Sequence, residues 1–259
     1  MSVLVSVHNL RFAYPGHEPL LSRVNFHVLP GQILVICGLS GQGKSTLLRL
    51  LIGLERPGAG MIKVLGKDIS SLGAKEFNFL KRNVGFVFQN PALLSTKTIW
   101  ENVALPLIYH NMGDEEEIRS RVDNALEMLL IRDYQHQYPA SLSLGILKRA
   151  AVARAMIMRP KLILMDEPTA GLDRISRGVL LALIGNIRRI NHVSMVLVTH
   201  DLLAARELGG EVGVLKEGEL LEPMGFEQLK NCQDSFVEYL FRQLEEESAS
   251  ERTAPGKAA

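Results

Sequence analysis

Gly38-Leu39-Ser40-Gly41-Gln42-Gly43-Lys44-Ser45 is the stretch on which the reading of this sequence turns. It satisfies G-x-x-x-x-G-K-[ST], the pattern of a phosphate-binding loop. The glycines let the backbone curl until several N–H groups point at one phosphate, at a helix N-terminus that already favours negative charge. Lys44 supplies a mobile cation, and Ser45 a hydroxyl for Mg²⁺, which prefers hard oxygen ligands. The context is the required one. Upstream, Gln32–Cys37 is a short apolar run that reads as a buried strand, with Cys37 a small buried hydrophobe. Downstream, residues 44–54 have helical spacing. Strand, glycine turn and helix form the first unit of an α/β fold.

Working outward, Leu162-Ile163-Leu164-Met165-Asp166-Glu167 is an apolar strand ending in two acids. Adjacent carboxylates at the end of a buried strand are costly unless they bind a cation or do chemistry. Beside a phosphate loop, Asp166 can orient Mg²⁺ and Glu167 can take a proton from an attacking water. Val3, Val5 and Val7, then Val24, Phe26 and Val28, recur at period two and predict strands, as do residues 60–68 and 195–198. The middle of the chain is helical. Asp114–Glu117 places acid at a helix start, and Ile118, Val122, Ala125, Leu126, Leu129 and Leu130 line one face. A second helix covers 147–158. The spacing therefore predicts an α/β core over 1–89 and 159–222, a helical lobe inserted at 90–158, and a fraying tail over 243–259.

Composition removes several functional classes. The 259 residues carry 29 Lys+Arg against 28 Asp+Glu, a net charge of +1. Charges so balanced and scattered argue against nucleic-acid wrapping or polybasic membrane binding. Two distant cysteines, Cys37 and Cys232, form no disulfide framework or metal cluster and suggest a reducing compartment. No secretory leader and no apolar run of the roughly 20 residues needed to span a bilayer is visible.

With these residues in view, the chain resembles the nucleotide-binding subunit of ATP-binding cassette transporters over about residues 3–240. Besides the loop, the matching segments are Tyr14, Phe88-Gln89, Asp166-Glu167-Pro168-Thr169, Gly171-Leu172-Asp173 and Val198-Thr199-His200-Asp201. The resemblance implies a P-loop, RecA-like core with an N-terminal antiparallel β subdomain and an inserted helical subdomain. It implies that Tyr14 stacks on adenine and that Gly38 through Ser45, with Thr46, hold the phosphates of ATP. Ser45, Gln89 and Asp166 would hold Mg²⁺. Glu167, His200 and Gln89 would be the catalytic set, with His200 at the γ-phosphate, and Asp173 would lie at the interface between two such chains.

One segment departs from the family pattern. Where the family has L-S-G-G-Q/M, this chain has Leu142-Ser143-Leu144-Gly145-Ile146. In the family this helix start covers the γ-phosphate held by a partner chain. Ser143 and Gly145 are retained for that task, but Leu144 adds bulk where glycine allows close approach. Hydrolysis is then slow, or the leucine turns away into the lobe, or the partner is a different chain.

The resemblance further implies integral membrane permease subunits as partners, a second ATPase chain (a homodimer on this reading), and residence at the cytoplasmic face of the inner membrane. Trp100–Leu107, Lys148-Arg149 and Asp234–Leu240 look most like the ATPase of MCE-associated (Mla-type) phospholipid transport systems, with a periplasmic or membrane lipid-shuttle protein as a further partner. Lipoprotein-release and amino-acid-import ATPases share parts of these stretches. A signalling ATPase that drives cell-wall hydrolases is the alternative from another class.

Overall fold

Period-two patterning at the N-terminus folds into an antiparallel arm. In the computed structural model, which describes residues 3–253 and the side chains of 3–244, β1 (Val5–Phe12) pairs antiparallel with β2 (Leu21–Val28). The alternation slips inside β1: the register shifts between Val7 and Leu10, where Asn9 takes φ 46°. This bulge is why Val5, Val7, Leu10 and Phe12 all reach the core. The loop motif then separates β3 (Ile33–Cys37) from α1 (Lys44–Leu51). This helix stops short of residue 54 because Gly53 turns left-handed, at φ 74°. β4 (Ala59–Val64) extends the arm on the other side of β1, and β5 (Lys67–Asp68) pairs with β4. A helix not foreseen in the sequence, α2 (Ala74–Asn83), leads into β6 (Val84–Val87).

The lobe consists of α3 (Ile99–Tyr109), α4 (Glu115–Met128) and α5 (Leu144–Met156). Reciprocal capping boxes, Thr98 with Glu101 and Asp114 with Glu117, start the first two. Val122, Ala125, Leu126 and Leu129 are buried as their spacing predicts, and Ile118 packs against them half-buried. Leu130 does not join them. It lies beyond the helix end at φ 55° and is 62% exposed, its carbonyl accepting from Arg149. The helical period no longer applies once the backbone has turned.

The chain returns through β7 (Leu162–Asp166), α6 (Arg174–Asn191), β8 (Ser194–Thr199), α7 (Leu202–Leu208) and β9 (Glu211–Lys216). Two short strands, β10 (Glu219–Leu220) and β11 (Met224–Gly225), precede α8 (Phe226–Lys230) and α9 (Ser235–Thr253). α9 runs on to Thr253, so 243–253 of the expected fraying tail are helical, while 254–259 lie outside the described residues. No helix among the described residues is long and apolar enough to cross a membrane.

The central strands are parallel in the order β9-β3-β8-β7-β6, and β2 joins them through β10. Ile33, Val35 and Cys37 face a core shared with the lobe, α6 and α7; Leu34 and Ile36 face the one shared with α1 and the arm. Burial on both faces explains why β3, β7 and β8 read as unbroken apolar runs. Parallel register sets Cys37 beside Thr199, Asp166 beside Val198 and Val87 beside Met165. The loops that follow these strands therefore gather at one edge, where open α/β sheets bind ligands.

Candidate nucleotide site

The loop after β3 is shaped by Gly43, which takes φ 92°; a β-carbon there would stand 3.0 Å from Leu20. Its helix, α1, begins at Lys44, a buried residue whose ammonium donates to the carbonyls of Gly38 at 2.7 Å and Leu39 at 2.9 Å. The same ammonium stands 3.7 Å from Oε1 of Glu167. Leu39, Ser40 and Gly41 are exposed around it. Gln42 turns aside, its Oε1 accepting from the N–H of Glu217 at 2.8 Å, so this residue offers the site its backbone. Thr46 is buried, with Oγ1 3.1 Å from the Tyr14 hydroxyl. Tyr14 packs edge-on against Phe12 at 4.9 Å, which sets its ring beside the start of α1.

The hydroxyl of Ser45 donates to Oδ1 of Asp166 at 2.8 Å. A hydroxyl and a carboxylate so paired are the hard oxygen donors that Mg²⁺ takes alongside phosphate oxygens. Burial pushes the Asp166 carboxyl above its usual range; the Ser45 bond opposes this, and the charge of Glu167 adds to it. A carboxylate held at that cost in protein alone is suited to a cation. The donor set fits the metal.

Glu167 is 7% exposed, and each of its polar atoms is engaged. Oε2 accepts from the Thr199 hydroxyl at 3.1 Å and the His200 N–H at 3.4 Å, and lies 2.9 Å from Nδ1 of His200. Burial raises the Glu167 pKa, but the His200 bond and charge and the Lys44 ammonium outweigh it, so the carboxyl sits below its ordinary value. The Glu167 backbone is left-handed, at φ 45°. Its N–H donates to Val198 and its carbonyl accepts from Ala170 at 3.2 Å and from Nζ of Lys148 at 3.0 Å. A carboxylate presented between an ammonium and an imidazole at the mouth of a phosphate loop can accept a proton from a water.

The remaining sequence-predicted residues fall around this centre. Gln89 is exposed in the loop two residues beyond Val87, where β6, the strand beside β7, ends. The loop after it is held by Arg154 of α5, which donates to the carbonyls of Pro91 and Ala92. Asp173 is exposed and caps α6, accepting from Ser176 at 3.0 Å. Ser143 is the exposed N-cap of α5, without a side-chain capping bond. Gly145 approaches Ser176, and Leu144, 38% exposed, leans on Gly171. The start of α5 and the segment before α6 therefore touch within one chain.

Sequence reasoning missed Lys148, Arg154 and Thr199 as parts of this site. Lys148 had a legible signal: it shares an apolar stripe of α5 with Ala151 and Ala155, at i+3 and i+7, where a solvated lysine does not belong. In the structure it is 2% exposed, and burial lowers its pKa to about 8 against the opposing pull of Glu167 and Asp166.

A glycine-rich loop at a helix start, a hydroxyl–carboxylate pair for a divalent cation and a second, buried carboxylate together define a P-loop nucleotide-binding protein. The sequence pattern of the ABC transporter family matches residues 21–170; the chain belongs to that family. It is 39% identical over 215 residues to the methionine import ATP-binding protein MetN 1 of Acinetobacter baylyi, covering 83% of this chain and 60% of that protein. With MetN of Carboxydothermus hydrogenoformans it shares 36% over 221 residues, 85% and 65% of the two chains. The chain thus spans about 60% of the length of the first curated relatives it matches. Among solved structures, the ATP-binding cassette MJ0796, a dimer in a post-hydrolysis state bound to ADP and Pi, aligns with a TM-score of 0.78 at 33% identity. That alignment covers 86% of this chain and 98% of that one. The cbiO1 protein of Clostridium perfringens, part of the ABC transporter complex cbiONQ, aligns with a TM-score of 0.81 at 28% identity, over 97% and 100%.

Proposed function

We propose that this chain is the ATP-hydrolysing subunit of an ABC transporter. The observation that carries the reading is Glu167, a buried carboxylate held between Lys44 and His200 beside the phosphate loop. The loop N–H groups and Lys44 bind the β/γ-phosphates, moving the ammonium off the carbonyls of Gly38 and Leu39 that it now occupies. Tyr14 offers its ring to the base. Ser45 and Asp166 would hold Mg²⁺, with Gln89 reaching toward it; bound there, the ion neutralises phosphate charge. Glu167 accepts the proton of the attacking water, and His200 fixes the carboxylate and meets developing charge at the γ-phosphate.

A second copy of the chain completes each site by placing Ser143 and Gly145 over the bound phosphates, with Asp173 in the interface. The exposure of Ser143 and Asp173 here, and the dimer named in the MJ0796 structure, support this arrangement. The subunit works at the cytoplasmic face of the inner membrane, held there by permease subunits that read the loop after Gln89. Among cargoes, the names of the curated relatives favour methionine or another small amino acid. The phospholipid expectation and its lipid-shuttle partner rest on the short local matches alone and gain nothing from those names.

The test is steady-state hydrolysis by the chain assembled with its membrane subunits. Glu167→Gln should keep ATP binding and lower turnover by about 10²-fold or more, since a positioned base contributes roughly 10²–10⁴; wild-type turnover removes Glu167 from the role. Stimulation of the wild-type complex by amino acid or by phospholipid then separates the two cargo readings.

A further inference from the structure

We propose that Lys148 is a positioning residue for Glu167, holding the backbone of the catalytic carboxylate from the helical lobe through its ammonium on the Glu167 carbonyl. The inference rests on Glu167 being the base, and it concerns a contact between two parts of the chain that the site motifs do not join. Glu167 begins the loop after β7 in the core; Lys148 lies on the second turn of α5, four residues after Leu144.

The backbone of Glu167 needs holding. A left-handed conformation at a residue with a β-carbon is unfavourable and persists only where its surroundings impose it. Here that conformation turns the chain off β7 so that the carboxylate reaches Thr199 and His200 on the neighbouring strand end. Three bonds fix the peptide groups: its N–H to Val198, and its carbonyl to Ala170 and Lys148. The first two come from the same sheet and turn. Lys148 alone arrives from the lobe.

The identity of the side chain supports a role beyond filling space. Leucine or methionine would fill the same volume without bringing a charge out of water. Lys148 is 2% exposed, and among the described residues its ammonium makes no ion pair; its hydrogen bond goes to a neutral carbonyl. A desolvated ammonium is costly even with the charges of Glu167 and Asp166 near enough to steady it. It makes sense where a charge-assisted bond is needed to hold that carbonyl in place. A shift of α5 relative to β7 would also move Nζ from the carbonyl, so the orientation of the base follows the position of the lobe.

The experiment uses the full chain assembled with its membrane subunits and reads kcat and KM for ATP separately. Lys148→Met keeps the reach of the side chain and removes the donor. It should lower kcat about tenfold with KM and nucleotide affinity unchanged, and Lys148→Gln, a shorter donor, should recover part of the loss. In a Glu167→Gln background, Lys148→Met should change the residual rate by less than about twofold, because the group it positions is already gone. An unchanged kcat in folded Lys148→Met, or the same fractional loss with and without Glu167, overturns the proposal. Should Lys148→Met not fold, Lys148→Gln carries the same cycle: its smaller loss of kcat should vanish in the Glu167→Gln background, and an equal loss in both overturns the proposal. Wild-type turnover in Glu167→Gln itself would strike the base assignment instead.

Discussion

The end of the Leu144 side chain, Cδ2, stands 3.1 Å from the place a β-carbon on Gly171 would occupy. The departure from the family's glycine is thus accommodated inside one chain by a second glycine, in the segment that precedes α6. Leu144 is not buried in the lobe. It keeps 38% of its surface, beside the exposed Ser143. Its bulk therefore remains at the face that a second copy would meet.

Leu144→Gly is accordingly expected to raise steady-state turnover of the assembled transporter, by up to about tenfold, which corresponds to about 1.4 kcal/mol of barrier. ATP affinity of the isolated chain should not move, because Tyr14, Lys44 and Ser45 lie elsewhere. A rate that stays level or falls would mean that packing on Gly171 already makes the leucine harmless.

Gly171→Ala tests the other side of the same contact. Gly171 takes φ 75°, unfavourable by about 1–2 kcal/mol for alanine, and the new methyl would press on Leu144. The melting temperature should fall by several degrees, at roughly 2–4 °C per kcal/mol for a chain of this size. Part of the loss should disappear in the Leu144→Gly background. Equal losses in both backgrounds would show that backbone conformation alone is responsible.

Gly85→Ala is expected to be the more damaging change. Gly85 lies on β6 under the end of α5, and a β-carbon there would stand 2.3 Å from the backbone oxygen of Ala155. Neither backbone can yield without separating lobe from core, so the loss should be about 3 kcal/mol or more. Urea denaturation measures it; a loss below 1 kcal/mol would show that α5 shifts freely.

Stability should also depend on pH through His200. The hydrogen bond to Glu167 holds the imidazole pKa above its ordinary value, against burial, which lowers it. A folded pKa raised above the unfolded one contributes stability that is complete below the ordinary imidazole value and is lost as pH rises through the raised one. The melting-temperature gap between wild type and His200→Ala should therefore narrow from pH 6 to pH 9. The His200 side chain is 57% exposed, so solvent screening keeps the gap small. A gap independent of pH would sever His200 from this linkage.

Residues 38–45, Asp166-Glu167 and the strands β3, β7 and β8 are legible because each depends on chemistry confined to a few neighbouring residues. Glycines permit a loop, an apolar run makes a two-sided strand, and acids at its end need a cation or a reaction. Two of the lobe's helices, α4 and α5, are legible for the same reason, through helical spacing and the acids at the start of α4, whereas α3 is not. The missed helix α2 carries one buried residue, Leu80, too weak a stripe to announce itself. Leu130 misled because periodicity cannot say where a helix ends in a left-handed turn.

Contacts between distant segments were decided by packing. Ser45 meets Asp166 across 121 positions and Lys148 meets Glu167 across 19, because parallel register brings β3, β8 and β7 to one edge and α5 closes over it. The left-handed backbone of Glu167, the bond that holds it from the lobe and the seat of Leu144 on Gly171 all follow from that closure. Residue types announce what chemistry a segment can perform; which segments perform it together depends on burying apolar faces that no local pattern pairs.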